Sequence, residues 1–159
     1  GEMKNVLKEV TVLTKEGEVL VIPAKALELG YRTSVIPKNG WIVLGAVLQL
    51  KKGDQEQILA RMEELKEQRI TKQPLDLPSA GSTFKRPEGY FAGKLIMDSG
   101  LRGYQVGGAQ VSEKHCGFVI NTGNATAKDV TTLMSDVQRI VMEKFGVKLE
   151  PEVKFLGEF

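Results

Sequence analysis

The chain has a single cysteine, Cys116, and a single histidine, His115. It cannot close an internal disulfide, and it lacks the His/Cys cluster that a zinc or iron centre takes, so a structural metal is not expected. Aromatic residues make up only 6%, and 22 Lys plus Arg against 20 Asp plus Glu leave a net charge of +2. Base stacking and phosphate tracking have little to build on, which argues against a dedicated nucleic-acid or membrane-surface binder. The longest apolar stretch, Trp41 to Leu48, is well short of the roughly 20 residues that span a bilayer, and no charged-then-apolar signal opens the chain. A cytoplasmic, reducing location is expected. Dinucleotide G-x-G-x-x-G, Walker and G-x-S-x-G patterns are missing, as are internal repeats. With 159 residues, 42% hydrophobic and 26% charged, the composition is that of a folded domain with one sizeable core and at most a fragment of a neighbour. Gly1 rather than Met stands first and runs into strand-like sequence, so the natural start is expected to have been removed or to lie upstream.

Alternation predicts a β-hairpin: Val10 and Val12 share a face, Lys15-Glu16-Gly17 turns the chain, and Val19 and Val21 alternate again. Pro23 and AKALELG predict one or two helical turns with Gly30 as the left-handed terminator. PKNG at 37–40 reads as a turn, and WIVLGAVLQL, too apolar for a surface strand, as the middle of a sheet. From Asp54, Ile58, Leu59, Met62 and Leu65 fall on one helical face, with Asp54 and Gln57 as a capping pair and an end near Arg69, before Pro74.

The segment QPLDLPSAGSTFKRPEG holds three prolines and two glycines in 17 residues and shows no period, so it reads as a loop. FAGKLIMDSG predicts a short helix closed by Gly100; YQVGGAQVS and GFVINTG predict two strands, with Gly107-Gly108 marking a bulge or a close approach to the backbone. Thr126 and Asp129 have capping-box spacing, and Val130, Leu133, Met134, Val137, Ile140, Val141 and Phe145 form a helical stripe ending at Gly146. Val147-Lys148-Leu149 and Val153-Lys154-Phe155 alternate as a final strand interrupted by Pro151. The expected class is α+β: a mixed or antiparallel sheet packed with two long helices.

For chemistry the proline-glycine loop stands out. PSAGSTFKRP combines hydroxyls and tight turns with the adjacent cations Lys85 and Arg86, a set that suits a phosphate or carboxylate, although Gly, Pro and Ser also dominate ordinary turns. Ser82 has no triad around it; it reads either as a structural hydroxyl or as an acid that needs an unusually basic acceptor. Arg32 in GYRTSV is a carboxylate clamp or a surface cation, and Glu152 in LEPEVKF lies on the face opposite Val153 and Phe155. His115-Cys116 reads as a strand-edge pair rather than a reactive dyad.

Taken together, GYRTSV, KQPLDLPSAGSTFKRP, GKLIMDSGLRG, GGAQVSEKH, FVINTGNATAKDV and LEPEVKFLGE resemble the UDP-N-acetylenolpyruvoylglucosamine reductases, flavoenzymes of bacterial peptidoglycan precursor synthesis. The resemblance runs over nearly the whole chain. It implies that residues 1–36 are the tail of the family's flavin-binding region and 37–159 its substrate-binding domain, with the flavin phosphate loops lying before Gly1. The implied reaction uses FAD and NADPH to reduce the enolpyruvyl ether of UDP-N-acetylglucosamine to UDP-N-acetylmuramate. Flavin N5 gives hydride to the vinyl methylene and a proton goes to the adjacent carbon. By this resemblance Ser82 is the proton donor, a role open to a serine because the acceptor is carbanion-like. Arg32 and Glu152 steady the enol-like intermediate. Lys72 and Arg86 approach the UDP-sugar diphosphate, Arg86 standing where many members have the asparagine of FKNP, and Arg69 faces the flavin. The short Leu50–Gly53 connection implies the subclass without a tyrosine flap. As a fragment the chain is expected to bind the UDP-sugar without turning it over, and an exposed former interdomain surface offers a route to a fragment dimer. The competing expectation is a free-standing ligand-binding or nucleic-acid-binding module without redox activity.

Overall fold

A computed structural model describes residues 1–157; residues 158 and 159, which include the end of the LEPEVKFLGE block and of the 37–159 segment, lie outside the described residues. The chain forms two compact units, residues 1–58 and residues 59 onward.

In the first unit, β1 (Leu7–Leu13) pairs antiparallel with β2 (Val19–Pro23), Val10 opposite Ile22 and Val12 opposite Leu20, as the alternation predicts. Val10 and Val12 are buried with Leu27, and Ile22, Val35, Ile36 and Trp41 pack around them. A single 3₁₀ turn, Ala24–Leu27, follows β2 and stops earlier than expected. Its left-handed terminator is therefore Glu28 (φ 48°), not Gly30, which instead pairs with Thr33 across a tight turn. The PKNG segment is not a bare turn but the end of a short helix, α1 (Val35–Asn39). Ser34 accepts the Ile36 N–H at 3.3 Å, Pro37 occupies the first turn where its missing N–H costs nothing, and Gly40 closes the helix at φ 66°. The apolar strand β3 (Ile42–Leu48) is at an edge rather than in the middle: the order is β2-β1-β3. Its composition expresses two apolar faces, but strand order depends on partners that the local string does not contain; Ile42, Leu44 and Val47 stay exposed.

Helix α2 (Gln55–Lys72) runs three residues past Arg69; Asp54 accepts the Gln57 N–H at 2.9 Å, and no residue of the helix is buried. The second sheet has the order β4-β7-β6-β5, all antiparallel, from β4 (Ser79–Ser82), β5 (Gln105–Val106), β6 (Ala109–Val111) and β7 (Phe118–Asn121). The Pro/Gly segment is thus not all loop. Ser79–Ser82 is an edge strand with an irregular register, made of small residues that carry no apolar period. YQVGGAQVS is likewise two strands, not one, because Gly107-Gly108 is a two-residue hairpin turn with Gly107 at φ 54°. The close approach is real as well: a Cβ on Gly108 would stand 2.4 Å from the Gly123 carbonyl oxygen.

Helix α3 (Ala92–Asp98) leads to Gly100 at φ 80°, as expected. Helix α4 (Ala127–Phe145) begins with a complete Thr126/Asp129 capping box, ends at Gly146 (φ 66°), and buries Leu133, Met134, Val137 and Val141. These side chains join Ala109, Val111 and Val119 of the sheet and Leu95 and Ile96 of α3 in the main core. The final alternating segment forms no strand. Pro151 has no N–H to donate, and pairing shrinks to one bridge, Phe84 with Pro151.

Candidate active site

That bridge brings two segments that carry candidate site residues side by side. The Lys85 N–H donates to the Glu150 carbonyl at 2.8 Å, and the Glu152 N–H donates to the Thr83 carbonyl at 2.9 Å. Residues 82–86 and 150–152 therefore run side by side, although far apart in sequence. Thr83 fixes the seam from within: it is buried, its N–H donates to the Gly117 carbonyl at 2.9 Å, and its hydroxyl oxygen accepts the Val119 N–H at 3.0 Å. The Val119 amide points toward β4 where the ladder is irregular, and the Thr83 hydroxyl takes the place of a strand carbonyl.

Ser82 is exposed at the end of β4, opposite Phe118. Gly81 before it has φ 81°, with open space where a Cβ would be. Glu152 is half-buried on the adjoining segment. A pocket of about 330 Å³ behind this strand is lined by Ser79, Thr83, Val119, Val130, Met134 and Val153, and neither Ser82 nor Glu152 lines it.

The two adjacent cations have different settings. Lys85 forms an ion pair with Glu150, and its hydrogen bond and charge hold the Glu150 carboxyl below the usual range. Arg86 turns to the loop that follows. Its Nε donates to the Tyr90 carbonyl at 3.2 Å, and its guanidinium carbon lies 3.9 Å from the centroid of the Phe91 ring.

Lys72 and Arg69 are exposed in the last turn of α2, and the Lys114 ammonium donates to the Ile70 carbonyl in that turn at 2.8 Å. Arg32 belongs to the first unit, near the tip of the Gly30–Thr33 turn, at φ 54° and 5.6 Å from the Tyr31 ring centroid. A non-glycine residue in the left-handed region is uncommon and points to a local demand on that side chain or its turn. The structure thus brings Ser82, Glu152 and Arg86 to one part of the second unit.

His115 and Cys116 lie in the turn between β6 and β7 rather than on a strand edge. The His115 Nδ1 accepts the Gly117 N–H at 3.1 Å while its ring meets Phe118 edge-on, and burial pushes the Cys116 thiol up. A thiol held neutral in this way is a poor nucleophile.

Sequence reasoning missed Thr83, Tyr90 and Phe91. For Phe91 a signal was there: an aromatic residue occupies the N-cap of α3, where Ser, Thr, Asp or Asn normally stands.

Residues 73–156 match the family model for the C-terminal domain of UDP-N-acetylenolpyruvoylglucosamine reductase. The chain belongs to this family. Among similar proteins, a UDP-N-acetylenolpyruvoylglucosamine reductase of Lachnoclostridium phytofermentans is 66% identical over 158 residues, 99% of this chain and 51% of the relative. One from Agathobacter rectalis is 60% identical over 159 residues, 100% of this chain and 51% of the relative. The crystal structure of the Thermus caldophilus UDP-N-acetylenolpyruvylglucosamine reductase superposes with a TM-score of 0.80 at 40% identity, covering 96% of this chain and 54% of that one. The chain thus spans about half the length of these reductases. No helix among the described residues is long and apolar enough to cross a membrane.

Proposed function

We propose that the chain supplies the substrate-binding and proton-delivering part of a cytoplasmic reductase that converts the enolpyruvyl ether of UDP-N-acetylglucosamine to UDP-N-acetylmuramate. The observation that carries this reading is the seam formed by the Glu152 N–H and the Thr83 carbonyl, which sets Ser82 and Glu152 on adjoining segments. In this reading the Ser82 hydroxyl delivers a proton to the carbon beside the substrate carboxylate. That carbon becomes carbanion-like when its neighbour is reduced, so a weak acid suffices if charges steady the intermediate. Glu152 and Arg32 supply that stabilisation. Lys72 and Arg86 meet the diphosphate, for which a guanidinium fork and an ammonium are both suited.

Residues 1–36 are assigned to the cofactor-binding region and 37–159 to the substrate domain. The compact units divide later, at 58/59, because β3 pairs with β1 across that assignment. FAD with NADPH is the redox pair that the reading implies. The space beside Gly107 and Gly108 is filled by the Asp129 carboxylate and the Gly123 carbonyl, and Arg69, the residue proposed to face the flavin, lies on an exposed helix turn. In this reading the roles of residues 37–159 are those of holding substrate and moving a proton. Ser82→Ala in a full-length reductase bearing this chain tests the reading, since it is expected to slow the substrate-driven half of the reaction and to spare the NADPH-driven half.

A further inference from the structure

Phe91 is a large apolar side chain that is 60% exposed and does not belong to the main core. It sits at the N-cap of α3 with extended backbone (φ −116°, ψ 119°) and makes no side-chain capping bond. A serine or aspartate there would serve the helix better, so helix stability does not explain the aromatic. What the ring does touch is Arg86, whose guanidinium carbon lies 3.9 Å from the ring centroid, inside the range of a cation–π contact. The intervening Pro87-Glu88-Gly89 makes this possible: the Tyr90 N–H donates to the Pro87 carbonyl at 3.2 Å, Gly89 adopts φ 74°, and the chain folds back on Arg86. The same fold-back aims the Tyr90 carbonyl at Arg86 Nε, 3.2 Å away.

From this geometry we infer that Phe91 and the Tyr90 carbonyl position the Arg86 guanidinium for the diphosphate of the UDP-sugar. The ring fixes the plane of the fork and the carbonyl fixes its rotation. A flexible arginine loses rotamer freedom when it engages a phosphate, and a stacked one has already lost part of it. Phe91 is thus a positioning residue that acts through Arg86. The inference rests on the proposed role of Arg86 in substrate binding.

The test is steady-state kinetics in a full-length reductase bearing this chain, with Phe91→Ala, Phe91→Leu, Phe91→Tyr, Arg86→Ala and the Phe91→Ala/Arg86→Ala double variant. Phe91→Ala and Phe91→Leu are expected to raise KM for the UDP-sugar about two- to fivefold with kcat unchanged, the range that an exposed cation–π contact supports. Phe91→Tyr, which keeps the ring face, restores the wild-type KM. In the Arg86→Ala background, Phe91→Ala adds nothing further. If Arg86→Ala raises KM while Phe91→Ala and Phe91→Leu do not, the positioning role is wrong and the Arg86 assignment stands. If Arg86→Ala itself leaves KM unchanged, the Arg86 assignment falls and the positioning role falls with it.

Discussion

Replacing Thr83 by valine removes one oxygen from the centre of the seam and almost nothing else. Thr83 is 3% exposed and Val119 is 9% exposed, so water does not readily substitute for the lost acceptor. Valine matches threonine in volume and opens no cavity. The cost is that of a buried N–H left without a partner, about 1–3 kcal/mol. Thr83→Ser keeps the oxygen and gives up one buried methyl, worth about 1 kcal/mol. The two variants overlap in total stability, so amide hydrogen exchange is the discriminating assay. In Thr83→Val the Val119 amide is expected to exchange roughly 5–150 times faster than in the wild type, the factor that corresponds to that energy. In Thr83→Ser its protection beyond the general loss of stability is retained, because the 3.0 Å bond from the Val119 N–H survives. Exchange at Val119 within twofold of wild type in Thr83→Val would mean that the Thr83 hydroxyl does not hold this amide.

Three other substitutions probe the frame of the second unit. The Thr126 backbone N–H, the largest influence on Asp129, donates to its carboxylate at 2.9 Å and holds its pKa below the usual value. The charged carboxylate is therefore favoured by folding. Its contribution is present above the unfolded pKa, about 4, and is lost as pH falls through the lower folded value. Urea midpoints of wild type and Asp129→Asn should accordingly differ more at pH 6 than at pH 3; an equal difference at both would contradict the linkage. Gly108→Ala drives a Cβ to 2.4 Å from the Gly123 oxygen and 2.5 Å from the Ala125 nitrogen, backbone atoms that have no rotamer with which to yield. It should cost about 1–3 kcal/mol by overpacking and release the Thr122 bonds to the Gly108 carbonyl. Gly100→Ala, at φ 80° with open space, should cost only about 1 kcal/mol. Thermal unfolding compares the two, and a larger loss for Gly100→Ala would overturn the steric argument.

Elements whose information is local were legible in the sequence. Helix α4 could be read from its capping box, its stripe of Leu133, Met134, Val137 and Val141, and Gly146 at its end, because each signal lies within a few turns of the next. The first hairpin was legible for the same reason. What failed depended on distant partners. The apolar run of β3 implies two-sided cover, yet its edge position is set by β1 pairing with β2 on its other side. Ser79–Ser82 carries no period because it is a short edge strand of small residues, held by β7. At the candidate site, Ser82, Arg32 and Glu152 were ambiguous as isolated residues, and only the resemblance gave them roles. Lys85 and Arg86 read as equivalent neighbouring cations; one is paired with Glu150 and the other stacked on Phe91, a difference that arises only after folding.

In the proposed reading Ser82 delivers the proton in a reductase that contains this chain. Stopped-flow measurement on full-length Ser82→Ala, with flavin absorbance followed separately during reduction by NADPH and reoxidation by the enolpyruvyl UDP-sugar, tests it most directly. The reduction rate should be unchanged and reoxidation slowed by about 10²–10⁴-fold, the usual contribution of a positioned general acid. Reoxidation at the wild-type rate would contradict it.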